Sequence, residues 1–157
     1  MLGALNNIDQ TIQKSTNLSA TLWPELLDIV GLIPTFNNMS LNFIKQTGVA
    51  CQFISSIESI ELEKNTAIAV YKIAEEALNN IAIHAQASEV SIHLDKEDDR
   101  FKLRIVDNGN GFNTRVSNET KWYGFIEMMH RASMINAEVN IYSLKNRGTE
   151  VVLMFEA

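Results

Sequence analysis

Two short groups of residues in this chain have types and spacings suited to chemistry. The first, Asp107-Asn108-Gly109-Asn110-Gly111-Phe112, follows directly on the β-patterned run Phe101–Val106. A carboxylate leaving a strand is a fixed hydrogen-bond acceptor, and glycines at alternate positions free the backbone that follows. Such a unit suits an adenine pocket with a mobile cover. It also describes an ordinary turn after a strand, because Asn and Gly adopt positive φ at little cost, and an isolated motif of this kind favours the turn.

The second group lies upstream, in Tyr71–Ala85. Ile73, Ala77, Ile81 and Ala85 recur every four residues as the apolar face of a helix. Glu76, Asn80 and His84 share that spacing and form a polar ridge on the neighbouring stripe. An amide oxygen and a carboxylate are hard ligands suited to magnesium, which keeps waters and phosphate oxygens in its shell. A solvated helix face accounts for most such triplets, but not for two adjacent asparagines, Asn79 and Asn80, in a helix otherwise rich in apolar residues.

The chain around these groups has 157 residues, room for one domain with a small appendage. With 46% hydrophobic residues it can bury a core. A formal charge of −6 and scattered Lys and Arg argue against a nucleic-acid binder, which needs a clustered basic face. Cys51 is the single cysteine, so an internal disulfide and a thiolate cage are excluded and a reducing cytoplasm fits. There is no apolar run of membrane-spanning length and no basic-then-apolar N-terminal leader, so this segment is expected to make no membrane contact.

The elements that must position the two groups can be read in order. Leu5, Ile8, Ile12 and Leu22 are sparse anchors of a first helix that packs on a partner helix, ended or kinked at Trp23-Pro24. Glu25–Val30 is a short amphipathic piece closing at Gly31, and 34–46 is a helix stopped by Gly48. Val49–Ile54 reads as a strand, 55–63 as an acidic loop, and Lys64–Ala85 as the long motif-bearing helix. Ser88–Leu94 and Arg100–Val106 form a hairpin through the charged turn Asp95–Asp99. The polar stretch 113–123 is a candidate lid or a plain loop. Gly124–Ile135 is a helix with Phe125, Met128, Met129, Ala132 and Ile135 inward, and Ala137–Leu144 with Gly148–Phe155 makes a last hairpin. The expected architecture is α+β, a mixed sheet with helices on one face.

In this order, the Glu76/Asn80/His84 helix, the Asp107-x-Gly109-x-Gly111 turn, Met128-x-x-Arg131-Ala132 and Gly148-Thr149 resemble the ATP-binding domain of sensor histidine kinases. These belong to the GHKL superfamily, and the closer similarity is to the short-lid, nitrate-sensor-type group; it covers residues 25 to 157. The resemblance implies a Bergerat-type two-layer α/β sandwich that binds ATP and Mg2+. Asp107 would accept from the adenine amino group, Gly109 and Gly111 would hinge a lid, and Thr149 would support Asp107. Asn80 would hold the magnesium, His84 would join it in cofactor binding, and Glu76 would be the catalytic group that orients or activates the attacking group or a water. Gly124 would let backbone approach the phosphates at a helix N-terminus. Residues 1–24 would contain the second helix of a dimerisation bundle, giving a homodimer that works with a response regulator.

Three departures from the family pattern stand out. Trp122-Tyr123-Gly124-Phe125 replaces Gly-x-Gly-Leu, and Ile83 stands where a Lys or Arg precedes the motif histidine. Third, no phosphoacceptor box, a His followed by Asp or Glu on a bundle helix, is found: the three histidines are His84, His93 and His130. The chain therefore reads as a kinase module that phosphorylates a histidine located elsewhere, a C-terminal part of a cytoplasmic or membrane-anchored protein. A second reading stays open, in which the fold is kept as a dimerisation or response-regulator docking module without turnover.

Overall fold

A computed structural model describes residues 27–114 and 119–157, with backbone only for 119–122. The expected first helix, its junction at Trp23-Pro24 and the side chain of Trp122 lie outside the described residues. Helix α1 spans Leu32–Thr47 and ends where Gly48 turns left-handed at φ 73°, its N–H donating back to the Ile44 carbonyl. Strand β1, Ala50–Ser55, follows, and helix α2, Lys64–Asn80, continues into a π-helical turn, Ile81–Ala85. Strands β2, Glu89–Glu97, and β3, Arg100–Asp107, form a hairpin. Helix α3, Glu119–Met134, precedes β4, Glu138–Ser143, and β5, Thr149–Phe155.

The sheet order is β1-β2-β3-β5-β4, with β1 and β2 parallel and the remaining neighbours antiparallel. Period-two alternation explains its two faces. Val90, Ile92, Leu94, Phe101, Leu103, Ile105, Val151, Leu153 and Phe155 are buried in one row. Against that row pack Phe36 and Phe43 of α1, Val70, Ile73 and Ala77 of α2, and Phe125, Met128 and Ala132 of α3. The opposite face stays partly open and carries Arg104 paired with Glu150 at 2.7 Å and His93 bonded to Ser91 at 3.0 Å. The α+β expectation holds.

Several boundaries differ from the sequence reading. The β2–β3 strands run on through Glu97 and Arg100, because the turn needs only Asp98-Asp99, with Asp98 at φ 54°. Helix α3 begins at Glu119 rather than Gly124, so 119–123 belong to a helix and not to the expected loop. Met129 is exposed: three and seven residues on from Phe125, Met128 and Ala132 already fill the inner stripe. Cys51 is buried in β1 as a small apolar residue, and burial pushes its thiol up to about 11. Among the described residues, no helix is long and apolar enough to cross a membrane.

Leu103 and Arg104 are successive residues on opposite faces of the central strand, which makes the layer assignment testable. Leu103→Ala is expected to lower the free energy of unfolding by about 2–5 kcal/mol, and Arg104→Ala by less than about 1 kcal/mol, in urea titrations followed by circular dichroism.

Candidate functional site: a pocket between the sheet and helices α2 and α3

The inner face of the sheet and the C-terminal half of α2 enclose a cavity of about 520 Å³, counting space open to solvent. Its make-up, mostly apolar walls with a few convergent polar groups, is that of a small-ligand site. Its walls are apolar, from Ala77, Ile81, Ile105, Phe112, Phe125 and Val151. Its polar lining consists of Asn80, His84, Asp107 and Thr149, with Gly111 at the edge. Of the residues singled out from sequence, Glu76, Gly109 and Gly124 lie outside this lining.

Asp107 ends β3, the middle strand, and is 4% exposed. One carboxylate oxygen accepts from the Gly109 N–H at 2.7 Å. The other, Oδ2, is buried with no hydrogen-bond partner in the protein. Burial raises the Asp107 pKa above its ordinary value, and backbone N–H groups of Gly109 and Thr149 oppose that rise. A carboxylate that lines a mostly apolar cavity and keeps one desolvated oxygen without a partner is suited to accept from a planar amino group.

The glycines after Asp107 are pinned more tightly than a hinge would be. Asn110 N–H donates to the Ala85 carbonyl at 2.7 Å, and a Cβ on Gly109 would lie 2.2 Å from the same oxygen. Asn108 Oδ1 accepts from Ser88 and Glu89 N–H at 2.9 and 3.0 Å. The loop is thus stapled to the end of the π-helical turn, where Gln86 takes φ 49°. The β4–β5 turn presses from the other side: a Cβ on Gly148 would meet the Asp107 carbonyl oxygen at 1.9 Å.

The polar ridge of α2 is present with one change of geometry. The wider π turn begins at Ile81, between Asn80 and His84, and both still line the cavity. Asn80 Nδ2 is buried without a hydrogen-bond partner. Glu76 faces α3, and its pKa is raised above the ordinary value, first by burial, then by Glu127 and Glu75, with Arg131 opposing. Gly124 sits inside α3 rather than at a helix N-terminus. A Cβ there would lie 2.5 Å from Glu76 Oε1 and 3.0 Å from Asn80 Nδ2, so the missing side chain is the space those two groups occupy.

Sequence reasoning missed Ser143, whose hydroxyl contacts both Phe112 N–H and Thr149 Oγ1, at 2.9 and 2.8 Å. A lone serine near a strand end has no pattern to mark it. It placed Phe125 inward but did not foresee its pairing with Phe112, the two rings stacking at 5.3 Å and 26°.

A family model described as the histidine kinase-like ATPase domain matches residues 44–154. The chain belongs to this family. It is 30% identical over 127 residues, 81% of its length, to the signal transduction histidine-protein kinase/phosphatase DegS of Brevibacillus brevis. It is also 30% identical over 146 residues, 93% of its length, to the oxygen sensor histidine kinase NreB of Staphylococcus carnosus. These alignments span 33% and 42% of the relatives, so the chain corresponds to a third to two-fifths of their length. In fold it matches the histidine kinase domain of the Erythrobacter litoralis EL346 blue-light activated histidine kinase. The TM-score is 0.69 and the identity 16%, with 90% of this chain and 73% of that one covered.

The two raised carboxyls set a pH dependence. Folding raises both values, so relative to the unfolded chain these two groups hold protons more readily, and their contribution to stability is fully present below the ordinary carboxyl range, near pH 4. It is lost as pH rises through their raised values. Asp107→Asn and Glu76→Gln are therefore expected to raise the melting temperature at pH 7 and to flatten its decline between pH 4 and 7, measured by thermal melts across pH. A steeper decline in either variant contradicts the assignment.

Proposed function

We propose that this chain is the ATP-binding catalytic domain of a two-component sensor histidine kinase, a protein-histidine kinase module that binds Mg2+-ATP. It would pass the γ-phosphoryl group to a histidine on another segment or chain, for onward transfer to a response regulator. The observation that carries this reading is the unpartnered Oδ2 of buried Asp107 at the floor of an apolar slot. A purine amino group supplies the missing donor, and the flanking apolar walls cover the faces of the ring.

Fit to magnesium is supported by the donor set. Among the described residues no group of three or more His, Cys, Asp and Glu could hold a metal alone. One protein oxygen plus phosphate oxygens and waters is the usual magnesium arrangement. Asn80, which lines the cavity with its Nδ2 buried and unpartnered, is the residue whose amide oxygen would serve. When bound, the ion neutralises phosphate charge in transfer.

The chain's own residues do the positioning. Asp107 and Thr149 fix the base, and His84 at the cavity edge adds a polar contact to the cofactor. Glu76, its pKa raised by burial, stands beside Asn80 to orient or deprotonate the attacking group as the bond from γ-phosphorus to the leaving ADP oxygen breaks. Ile83, half exposed where the resemblance implies a Lys or Arg, leaves the phosphates with less charge compensation. None of the three histidines is a bundle-helix acceptor: His84 lines the pocket, His93 lies on β2, and His130 is exposed on α3. Dimerisation through the first segment, residues 1–24, belongs to this proposal.

Isothermal titration with ATP, with and without magnesium, tests it. Wild type is expected to bind with metal-enhanced affinity. Asn80→Ala should abolish most of the magnesium effect, and Asp107→Asn should weaken binding at least tenfold while remaining folded. Wild-type affinity in Asp107→Asn, or no binding by wild type at all, overturns the reading.

A further inference from the structure

Ser143 closes β4 opposite Thr149 in the β4–β5 ladder and is 8% exposed. Its hydroxyl meets three groups: the Phe112 N–H at 2.9 Å, Thr149 Oγ1 at 2.8 Å and the Gly148 carbonyl oxygen at 3.2 Å. Phe112 N–H is always a donor, so it takes one lone pair of Ser143. The single Ser143 proton then has two destinations. Given to Gly148, it leaves Ser143 accepting from Thr149; given to Thr149, it leaves the Thr149 proton free to face the cavity. Either way the orientation of the pocket-lining Thr149 hydroxyl is set by Ser143.

The same hydroxyl anchors a second path. Phe112 follows the pinned Asp107–Gly111 loop, and its ring stacks on Phe125 of α3. Phe125 is the neighbour of Gly124, whose Cα lies against Glu76 and Asn80. One buried hydroxyl thus touches the base end of the cavity directly and the helix behind its phosphate end through two stacked rings.

We propose that Ser143 is a positioning residue for nucleotide recognition, holding the Thr149 hydroxyl and the Phe112 backbone in one register so that base binding and the placement of α3 are coupled. This rests on the nucleotide reading of the pocket. A serine with a merely structural role would affect stability alone. A coupling role requires that its removal change binding, and that the change overlap with that of Thr149.

The experiment measures ATP dissociation constants at fixed magnesium for wild type, Ser143→Ala, Ser143→Thr, Thr149→Val and the Ser143→Ala/Thr149→Val double variant, with amide hydrogen exchange at Phe112 in the free protein. Ser143→Ala is expected to weaken binding about three- to tenfold and to speed exchange at Phe112. Ser143→Thr keeps the hydroxyl and should bind within about twofold of wild type, on the scale of less than one hydrogen bond. The double variant should lose less affinity than the two single losses multiplied, because they share the Thr149 contact, while the Phe112 contact adds to the loss of Thr149→Val. Unchanged affinity in Ser143→Ala, equal losses in the Ala and Thr variants, or losses that multiply in the double variant overturn the inference. Absence of ATP binding by wild type instead overturns the reading of the pocket itself.

Discussion

The structure is organised around a half-satisfied carboxylate buried at the end of its middle strand. Asp107 gives one oxygen to the Gly109 N–H and keeps the other unpartnered. Leaving a polar atom in that state costs about 1–3 kcal/mol, more for a charge. The surroundings hold it there from every side. β2 and β5 flank its strand, the stapled loop prevents retreat toward solvent, and the β4–β5 turn closes over its carbonyl. A fold that tolerates such a group has arranged for something to meet it, which is how binding sites trade stability for recognition.

The two ends of the cavity differ in character. At the Asp107 end, Asp107 and Ser143 are buried, and Ser143 holds the half-buried Thr149 hydroxyl. On the side of α2 that faces α3, Glu76 and Asn80 are gathered under Gly124. Under the proposed function the first end takes the base and the second the phosphates, where charge changes during transfer.

Much of this was legible in sequence because strong periodicity was present. The strand-like runs Ser88–Leu94 and Arg100–Val106 marked the β2–β3 hairpin, and the four-residue spacing of Ile73, Ala77 and Ile81 set Asn80 on the stripe beside the buried face without any tertiary information. Local pattern failed where tertiary contact decides. Trp122-Tyr123-Gly124 looked like the end of a loop because glycine is a poor helix former, yet its absent side chain is required by Glu76 and Asn80 in the interior of α3. Gly109 looked like a hinge, whereas its need is close approach to Ala85. The π turn and Ser143 carried no compositional signal; both are visible only once β4, β5 and α2 are assembled.

The central claim is that Asp107 Oδ2 awaits an exocyclic amino donor. Its most direct test compares binding of ATP with inosine triphosphate, which differs at that position by replacing an amino donor with a carbonyl acceptor. Two acceptors cannot share a bond, so the account predicts at least a tenfold preference for ATP in wild type, shrinking toward none in Asp107→Ala. Equal affinity of wild type for the two nucleotides would contradict it.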